Sequence, residues 1–369
     1  MLKNLAIPNL CKQRDQVRLL NLTGSSFLLH EARENEIRRE ADCLRIKRPD
    51  WHRPRKDFSL RRPSQDCRLA LPSHLKILCP VMSRVPIVDS AKHPNVSVFE
   101  IDEDFVRNAE EIIHSTKNSV SDFWCKKYEA DNAKNWDTFY KHNQTNFFKD
   151  RHYIPDEFAL HELASDSTRA FHVVDMGCGV GNALLPMLQQ FPNMTAKGFD
   201  CSSTAVRLLH ERLAEEGFDN RCQVHDGDMT DRATSYEDLH NSADFVLLLF
   251  VQSAISPDHY EYIQELAWRI LKPGGVLLFR DYGKYDMAQL RFELSSHRQG
   301  NRLSDDFYVR GDGTRAKFFT ESELRDIWER DGRFQTDEVV IHTKKFVNRR
   351  TQVEMKRVWI KAKWVKQIK

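Results

Sequence analysis

FHVVDMGCGVGNALLPMLQQF, residues Phe171 to Phe191, decides how the rest of the chain is read. Phe171 to Met176 is a short β-branched, apolar run fit for a buried parallel strand, and Gly177, Gly179 and Gly181 follow it directly. Glycines at alternate positions let a backbone turn with positive φ, or lie against a ligand with no Cβ between. Asn182 is expected to cap a helix that runs to about Gln190, so the loop amides and the positive helix end face whatever lies above the strand. A second strand, Thr195 to Phe199, ends at Asp200, where a carboxylate meets a ribose diol at the carboxyl edge of a parallel sheet.

A glycine-rich turn alone proves little, so the context must carry the motif. The next strand, Arg221 to His225, leads to Asp226 and Asp228, an acidic position suited to an adenine amino group. An apolar strand, Asp244 to Val251, a helix over Asp258 to Leu271, the turn LKPGG and a fifth strand, Val276 to Phe279, follow. Alternating strands and helices from Ala170 onward predict an α/β domain, a mostly parallel sheet with helices on both faces. The GxGxG spacing is tighter than the GxGxxG of nicotinamide enzymes, and this order of parts resembles the class I S-adenosylmethionine (SAM) methyltransferases. That resemblance implies a Rossmann-like fold with a seven-stranded sheet and SAM as cofactor.

The 369 residues are 40% hydrophobic, enough for one large domain with additions, and the net charge of +2 says little. Its distribution says more: nine basic residues lie between Arg45 and Arg68 against Asp50, Asp57 and Asp66. Such a run attracts polyanions, or is simply a solvated tail. The eight cysteines show no C-x-x-C pair and no zinc spacing with histidine, so a reducing compartment and no metal are expected. No window approaches 18 apolar residues, so no membrane span is expected. The first thirty residues hold Lys3, Lys12, Arg14 and Arg18 with Asp15 the one acid, which leaves a mitochondrial leader as the alternative to the cytoplasm.

Residues 1–98 lack sustained periodicity and carry seven prolines from Pro49 to Pro94, so a mostly disordered basic extension is expected. Residues 99–168 form the next unit. Asp102 to Tyr128 is helical in pattern, with Phe105, Ala109, Ile112 and Ile113 on one face. In NWDTFYKHNQTNFFKDRHYIPDEF, Trp136, Tyr140, Phe147 and Phe148 stand beside Lys141, Lys149 and Arg151. That is the mixture of stacking surface and cation that single-stranded RNA binding uses, or a lid helix resting its aromatics on the core. The domain proper spans 169–369. Within it, 283–318 is longer than an ordinary connection and carries FYVRGDGTR, with Arg310 and Arg315 flanking a glycine turn, so it is assigned to the substrate. A helix with a capping box at Thr320 and Glu323 leads to two last strands, Gln335 to His342 and Val353 to Trp364.

WDTFYKHNQTNFFKDRHY, VDMGCGVGN, LLLFVQSAISPD, LKPGGVLLFRDYGKYDMAQLRF, DDFYVRGDGTRAKFFT and VNRR with RVWIKAKW together resemble the eukaryotic tRNA 3-methylcytidine methyltransferases. The match covers about residues 130–369, and FFKDRH and FYVRGDGTR are not general methyltransferase signatures. Asp175 stands where that family often has glutamate, and Gln252 where leucine is usual. The resemblance implies methyl transfer from SAM to N3 of a cytidine in the tRNA anticodon stem-loop, typically position 32. It implies SAM contacts from Trp136, Tyr140, Gly177, Asp200, Asp228, Met229 and Leu249. Cytosine N3 offers a lone pair at neutral pH, so placement rather than a general base is the main need. The methylated base is cationic, so Asp281 or Asp150, or the face of Tyr282, is expected beside it as the catalytic group. N3 lies on the pairing edge, so the nucleotide must be unpaired or flipped out. Phe148, Lys149, Arg151, Arg310 and Arg315 are expected on the RNA, the cations at phosphates. Two other readings share these residues: methylation of a protein or small molecule, and a non-catalytic RNA-binding adaptor. Whether an aminoacyl-tRNA synthetase or accessory protein takes part stays open.

Overall fold

The computed structural model describes residues 96–115, 118–160, 170–295, 300–348 and 352–367. The basic run from Arg45 to Arg68, the leader-like first thirty residues and nearly all of the expected extension lie outside the described residues, as do Arg349 and Arg350.

Five parallel strands make the centre of the sheet. β2 (Phe171–Met176) pairs with β3 (Met194–Asp200) on one side and β5 (Ala243–Leu249) on the other. β4 (Cys222–Asp226) extends the sheet from β3, and β6 (Leu271–Tyr282) extends it from β5. The chain order thus reverses at β2, and in sheets of this kind ligands bind at the carboxyl edge of that reversal. β11 (Glu354–Lys366) and β10 (Phe334–Val347) then add antiparallel to β6. β1 (Val96–Ser97) adds to β10 opposite Phe346 and Lys345. The sheet therefore has eight strands where seven were expected, in the order β1-β10-β11-β6-β5-β2-β3-β4. Two residues leave no alternating pattern to read, which is why β1 has no signature in the sequence.

Alternation along β2 sends neighbouring valines to opposite faces. Val173 joins Leu184, Leu188, Leu209 and Leu213, from α5 (Leu184–Gln190) and α6 (Ser203–Glu215). Val174 joins Ile263, Ile270, Leu324 and Trp328, from α7 (Tyr260–Ile270) and α9 (Glu321–Glu329). Trp328 stacks on Trp364 of β11 with ring centres 5.4 Å apart, and both rings are fully buried. Two of these helices start at a side-chain cap: at α6 Ser202 Oγ accepts from the Ala205 amide at 3.1 Å, and at α9 Thr320 Oγ1 accepts from the Glu323 amide at 3.1 Å. The reciprocal half of the expected capping box is replaced, because the Glu323 carboxylate pairs with Lys317 at 2.9 Å.

Two regions sit against the carboxyl edge. The stretch expected to be one helix from Asp102 to Tyr128 divides into α1 (Glu103–Ser115) and α2 (Asp122–Ala130), followed by α3 (Asn132–Asn143) and a single turn, α4 (Ile154–Glu157). The segment 283–318, expected as a substrate loop, is structured: α8 (Met287–Leu294), then β7 (Arg302–Ser304), β8 (Phe307–Val309) and β9 (Arg315–Lys317) in a separate antiparallel sheet. Its own small core of Tyr308, Ala316 and Phe318 explains why the chain can leave the main sheet here without unravelling. No described helix is long and apolar enough to cross a membrane.

Candidate active site

The loop after β2 is pinned to β3 by its own amides. Gly177 and Cys178 amides both donate to Phe199 O, at 2.8 and 3.1 Å, and the Gly179 amide donates to Asp200 Oδ2 at 2.9 Å. Gly179 has φ of +52°, and a Cβ there would stand 2.5 Å from Tyr140 Oη, so both backbone and space require glycine. Gly177 lines the same cleft, whereas Gly181 faces Leu209 of α6 and serves helix packing. The expected cap at Asn182 is not made. Its side-chain amide donates to Asp150 Oδ1 at 2.9 Å and to Phe148 O at 3.3 Å, and α5 begins two residues later. An amide committed to those acceptors ties the loop to the segment before the domain instead.

A cleft lies above this loop. Asp200, Asp228 and Met229 line it from β3 and the turn after β4, and Leu249 from the end of β5. Asp200 is buried and also accepts from the Ser202 amide at 2.9 Å. Burial pushes its carboxyl up, the Ser202 and Gly179 amides pull it down and Asp228 pushes it up again, leaving it at about 6. Asp228 Oδ1 accepts from the Thr230 amide and hydroxyl, at 2.8 and 2.7 Å, which fixes its direction. Asp175, buried behind the loop, is pushed up to about 7 by burial, against the pull of Arg151 and with a push from Asp200.

β5 ends at a strained residue. Phe250 has φ of +63°, which costs a non-glycine residue about 1 kcal/mol, and its amide donates to Arg280 O at 2.6 Å. The strain turns its ring under the Arg151 guanidinium, 4.8 Å away, and both line the cleft. Val251, Ser253, Ala254 and Ile255, from the turn that follows, complete this wall. These four were missed in the sequence, although any residues directly after a central parallel strand must stand at its carboxyl edge.

α3 closes the cleft from above. Trp136 and Tyr140 line it, and Phe139 and Tyr140 are buried against Val180, Ala205 and Leu208. Burial raises the Tyr140 phenol well above its ordinary range, with Asp200 adding to the push, so it is neutral. Asp137, which the sequence reading passed over, docks the helix. Its Oδ1 accepts from the Thr204 amide at 2.9 Å and from Ser202 Oγ at 3.0 Å, at the start of α6, while Oδ2 pairs with Lys141 at 2.7 Å. Partial burial pushes this carboxyl up, but Lys141, Thr204 and Ser202 outweigh it and hold it well below the usual carboxylate range. Nothing in the sequence marks Asp137, because its partners lie 65 and 67 positions away.

Other expected residues are redirected. Asp150 points to Arg212, at 2.8 Å, and to Asn182, and does not line the cleft. Asp281 is fully buried behind the wall, accepting from the Ser253 and Tyr282 amides at 2.8 and 2.9 Å, and burial leaves it at about 6. Neither expected carboxylate therefore faces a substrate, while Tyr282 does line the cleft. Arg315 is 1% exposed; it pairs with Glu129 of α2, and its Nε donates to Ala254 O at 3.2 Å. It braces the wall and also lines the cleft, with its Nη2 buried and without a hydrogen-bond partner among the described residues. Arg151, Arg310 and the half-buried Phe148 line the cleft as well, and Lys149 is exposed outside it.

The arrangement suits an adenosyl sulfonium: a loop without side chains at Gly177 and Gly179 and the Asp200 carboxylate for the sugar, Asp228 for the adenine amine, Met229, Leu249 and Ile255 as apolar walls, and aromatic rings above. Residues 173–275 match the family described as Methyltransferase domain. The tRNA N(3)-methylcytidine methyltransferase Mettl2 of Drosophila melanogaster is 40% identical over 258 residues, 68% of this chain and 77% of that protein. The tRNA N(3)-cytidine methyltransferase METTL6 of Homo sapiens is 38% identical over 260 residues, 70% of this chain and 88% of that protein. The tRNA(Thr) (cytosine(32)-N(3))-methyltransferase of Saccharomyces cerevisiae is 34% identical over 269 residues, 70% of this chain and 41% of that protein. At such identity over most of both chains, this protein belongs to the tRNA N(3)-cytidine methyltransferase family.

Proposed function

We propose that the protein transfers a methyl group from SAM to N3 of a cytidine in the anticodon loop of a tRNA, at position 32 as in the name of the yeast relative. When bound, SAM supplies an electrophilic methyl carbon on a sulfonium sulfur. The observation that carries the reading is that the cofactor cleft and a second, aromatic chamber share Trp136, Phe148, Tyr282 and Arg310 as a common wall. A methyl donor in one and a base in the other would meet across it.

The chain's own residues then have separable tasks. Asp200 holds the sugar end, with the Gly177 to Gly179 backbone close beneath it, and Asp228 the adenine end. Tyr140 and Trp136 exclude water from above, and Asp137 keeps their helix seated. Because cytosine N3 already carries its lone pair, no residue needs to remove a proton; holding that lone pair in line with the methyl carbon is the main contribution. Lys149, exposed and next in sequence to the cleft residue Phe148, is assigned to a phosphate.

Nucleoside mass spectrometry on fractionated tRNA from cells lacking the protein tests the reading. Loss of 3-methylcytidine from at least one tRNA, restored by the intact gene and not by an Asp200→Ala copy, is expected. An unchanged 3-methylcytidine content in every tRNA fraction would refute it.

A further inference from the structure

From the second chamber, and resting on the proposed function, we infer that Asp312 is the carboxylate that recognises the target base, accepting from its exocyclic amine and facing the charge it gains. The chamber is lined by the aromatic residues Trp136, Phe147, Tyr282 and Phe318 and by two arginines, Arg310 and Arg357. Aromatic walls are what an unstacked nucleobase needs in place of its lost neighbours. Arg357 is already neutralised by Asp286, which it meets at 2.8 Å, and Arg310 and Arg357 lie 5.8 and 5.9 Å from the Tyr282 ring centre.

Among the described residues lining this chamber, Asp312 is the one acid. Its place is set by the turn between β8 and β9. The Arg310 amide donates to Thr314 O at 2.7 Å, and the Gly313 amide to Arg310 O at 3.0 Å. Gly313 has φ of +83°, and a Cβ there would strike Asn135 of α3, whose side-chain amide donates to Gly313 O at 3.0 Å. The lid helix thus locks the turn. Asp312 Oδ1 accepts from the Thr314 amide and hydroxyl, at 3.0 and 2.7 Å, which leaves Oδ2 for a ligand.

Cytosine presents an amine beside N3, where uracil presents a carbonyl, and carboxylates pair with that amine. In the transfer, the N3 lone pair forms the new C–N bond as the C–S bond breaks, the bond's electrons going to sulfur. No proton moves, and the positive charge passes from the sulfonium to the base. A carboxylate on the amine, through which that charge is delocalised, gains strength as the charge develops, so it favours the transition state over bound cytosine. Asp281 and Asp150 cannot do this, because their oxygens are turned to Ser253 and to Arg212.

The test uses the full chain and synthetic anticodon stem-loops carrying either cytidine or 2-pyrimidinone riboside, which lacks only the amine, at the target position. Binding affinity and single-turnover methylation are measured for wild type, Asp312→Asn and Asp312→Ala, with SAM affinity as a separate control. Asparagine keeps the Oδ1 bonds to Thr314, so a misfolded turn is distinguishable from a lost carboxylate. Wild type should bind and methylate the cytidine loop about tenfold better or more than the 2-pyrimidinone loop. Both variants should bind SAM as wild type does, methylate cytidine about tenfold to a hundredfold more slowly, and lose the discrimination in affinity. A wild-type discrimination ratio in either variant, or none in wild type, overturns the role of Asp312 and leaves the proposed function standing. Absence of any methylation of cytidine by wild type would instead fell the proposed function.

Discussion

On one side of the cleft, Asp200 and the Gly177 to Gly179 loop hang from β2 and β3, and the bonds that aim them are main-chain amides to Phe199 O and to the Asp200 carboxylate itself. On the other side, Trp136 and Tyr140 hang from α3, which side chains hold in place: Asp137 on Ser202 and Thr204, and Asn135 on Gly313. Arg315 on Glu129 braces α2 just before it. The floor is thus set by strand register, with no latitude short of unfolding. The roof is set by a few polar contacts over an apolar seat, a smaller set of constraints than strand register imposes.

Breaking the floor should have the largest effect. Asp200→Ala removes an acceptor from the Gly179 and Ser202 amides and from any ligand hydroxyl, each charge-assisted bond being worth about 2 kcal/mol. SAM affinity by calorimetry is expected to fall about a hundredfold or more in a variant that still melts cooperatively. Near-wild-type affinity would show that the floor does not hold the cofactor.

Breaking the roof should cost less. Asp137→Ala leaves the Thr204 amide and Ser202 hydroxyl without their acceptor but spares the apolar seat of Phe139 and Tyr140. A loss of about 1 to 2 kcal/mol, or roughly tenfold in kcat/KM, is expected. Amide exchange should rise in α3 and stay unchanged in β2 and β3. Equal exchange in both would erase the distinction between the two walls.

Acid sharpens the comparison. Asp200 in the free protein sits at about 6, and a ribose hydroxyl binds only its ionised form. Ligand binding is therefore linked to loss of that proton: affinity should be nearly flat above pH 7 and fall by about fivefold between pH 6 and pH 5. Asp175, buried behind the loop and at about 7, loses its proton in the same range and adds to the curve. Asp200→Asn should abolish most of this slope, whereas Asp137→Asn should leave it intact.

The smallest effect lies outside both walls. Lys149→Ala removes one exposed charge, so tRNA affinity should fall only about two- to threefold, and the slope of affinity against salt should drop by about one counterion. No change in the slope would take Lys149 off the RNA.

This division also explains what could be read from the residues. β2, its glycine loop and Asp200 announce themselves because a buried parallel strand and a positive-φ turn each demand particular residue types in a fixed local order. Spacing does not say which way a residue faces, so Gly181 looks like its neighbours but serves Leu209. Asp281 and Tyr282 are a case the alternation of a strand could have settled: one facing the cleft puts the other behind it, and Tyr282 is the one that lines it. Arg315 and Asp137 have no such local signal. Their partners, Glu129 and the start of α6, are distant in the chain, and a buried charge pair looks in sequence like any two surface charges. The inserted sheet, β7 to β9, was legible as a region and not as a structure, since three-residue strands fall below the length at which alternation can be seen.

The most direct measurement gives purified full-length protein methyl-labelled SAM and unmodified tRNA transcripts, then resolves the nucleosides. The expected result is label in 3-methylcytidine with wild type, and none with Asp200→Ala at the same protein concentration. Label in a different nucleoside, or label in 3-methylcytidine that survives loss of Asp200, would contradict the site described above.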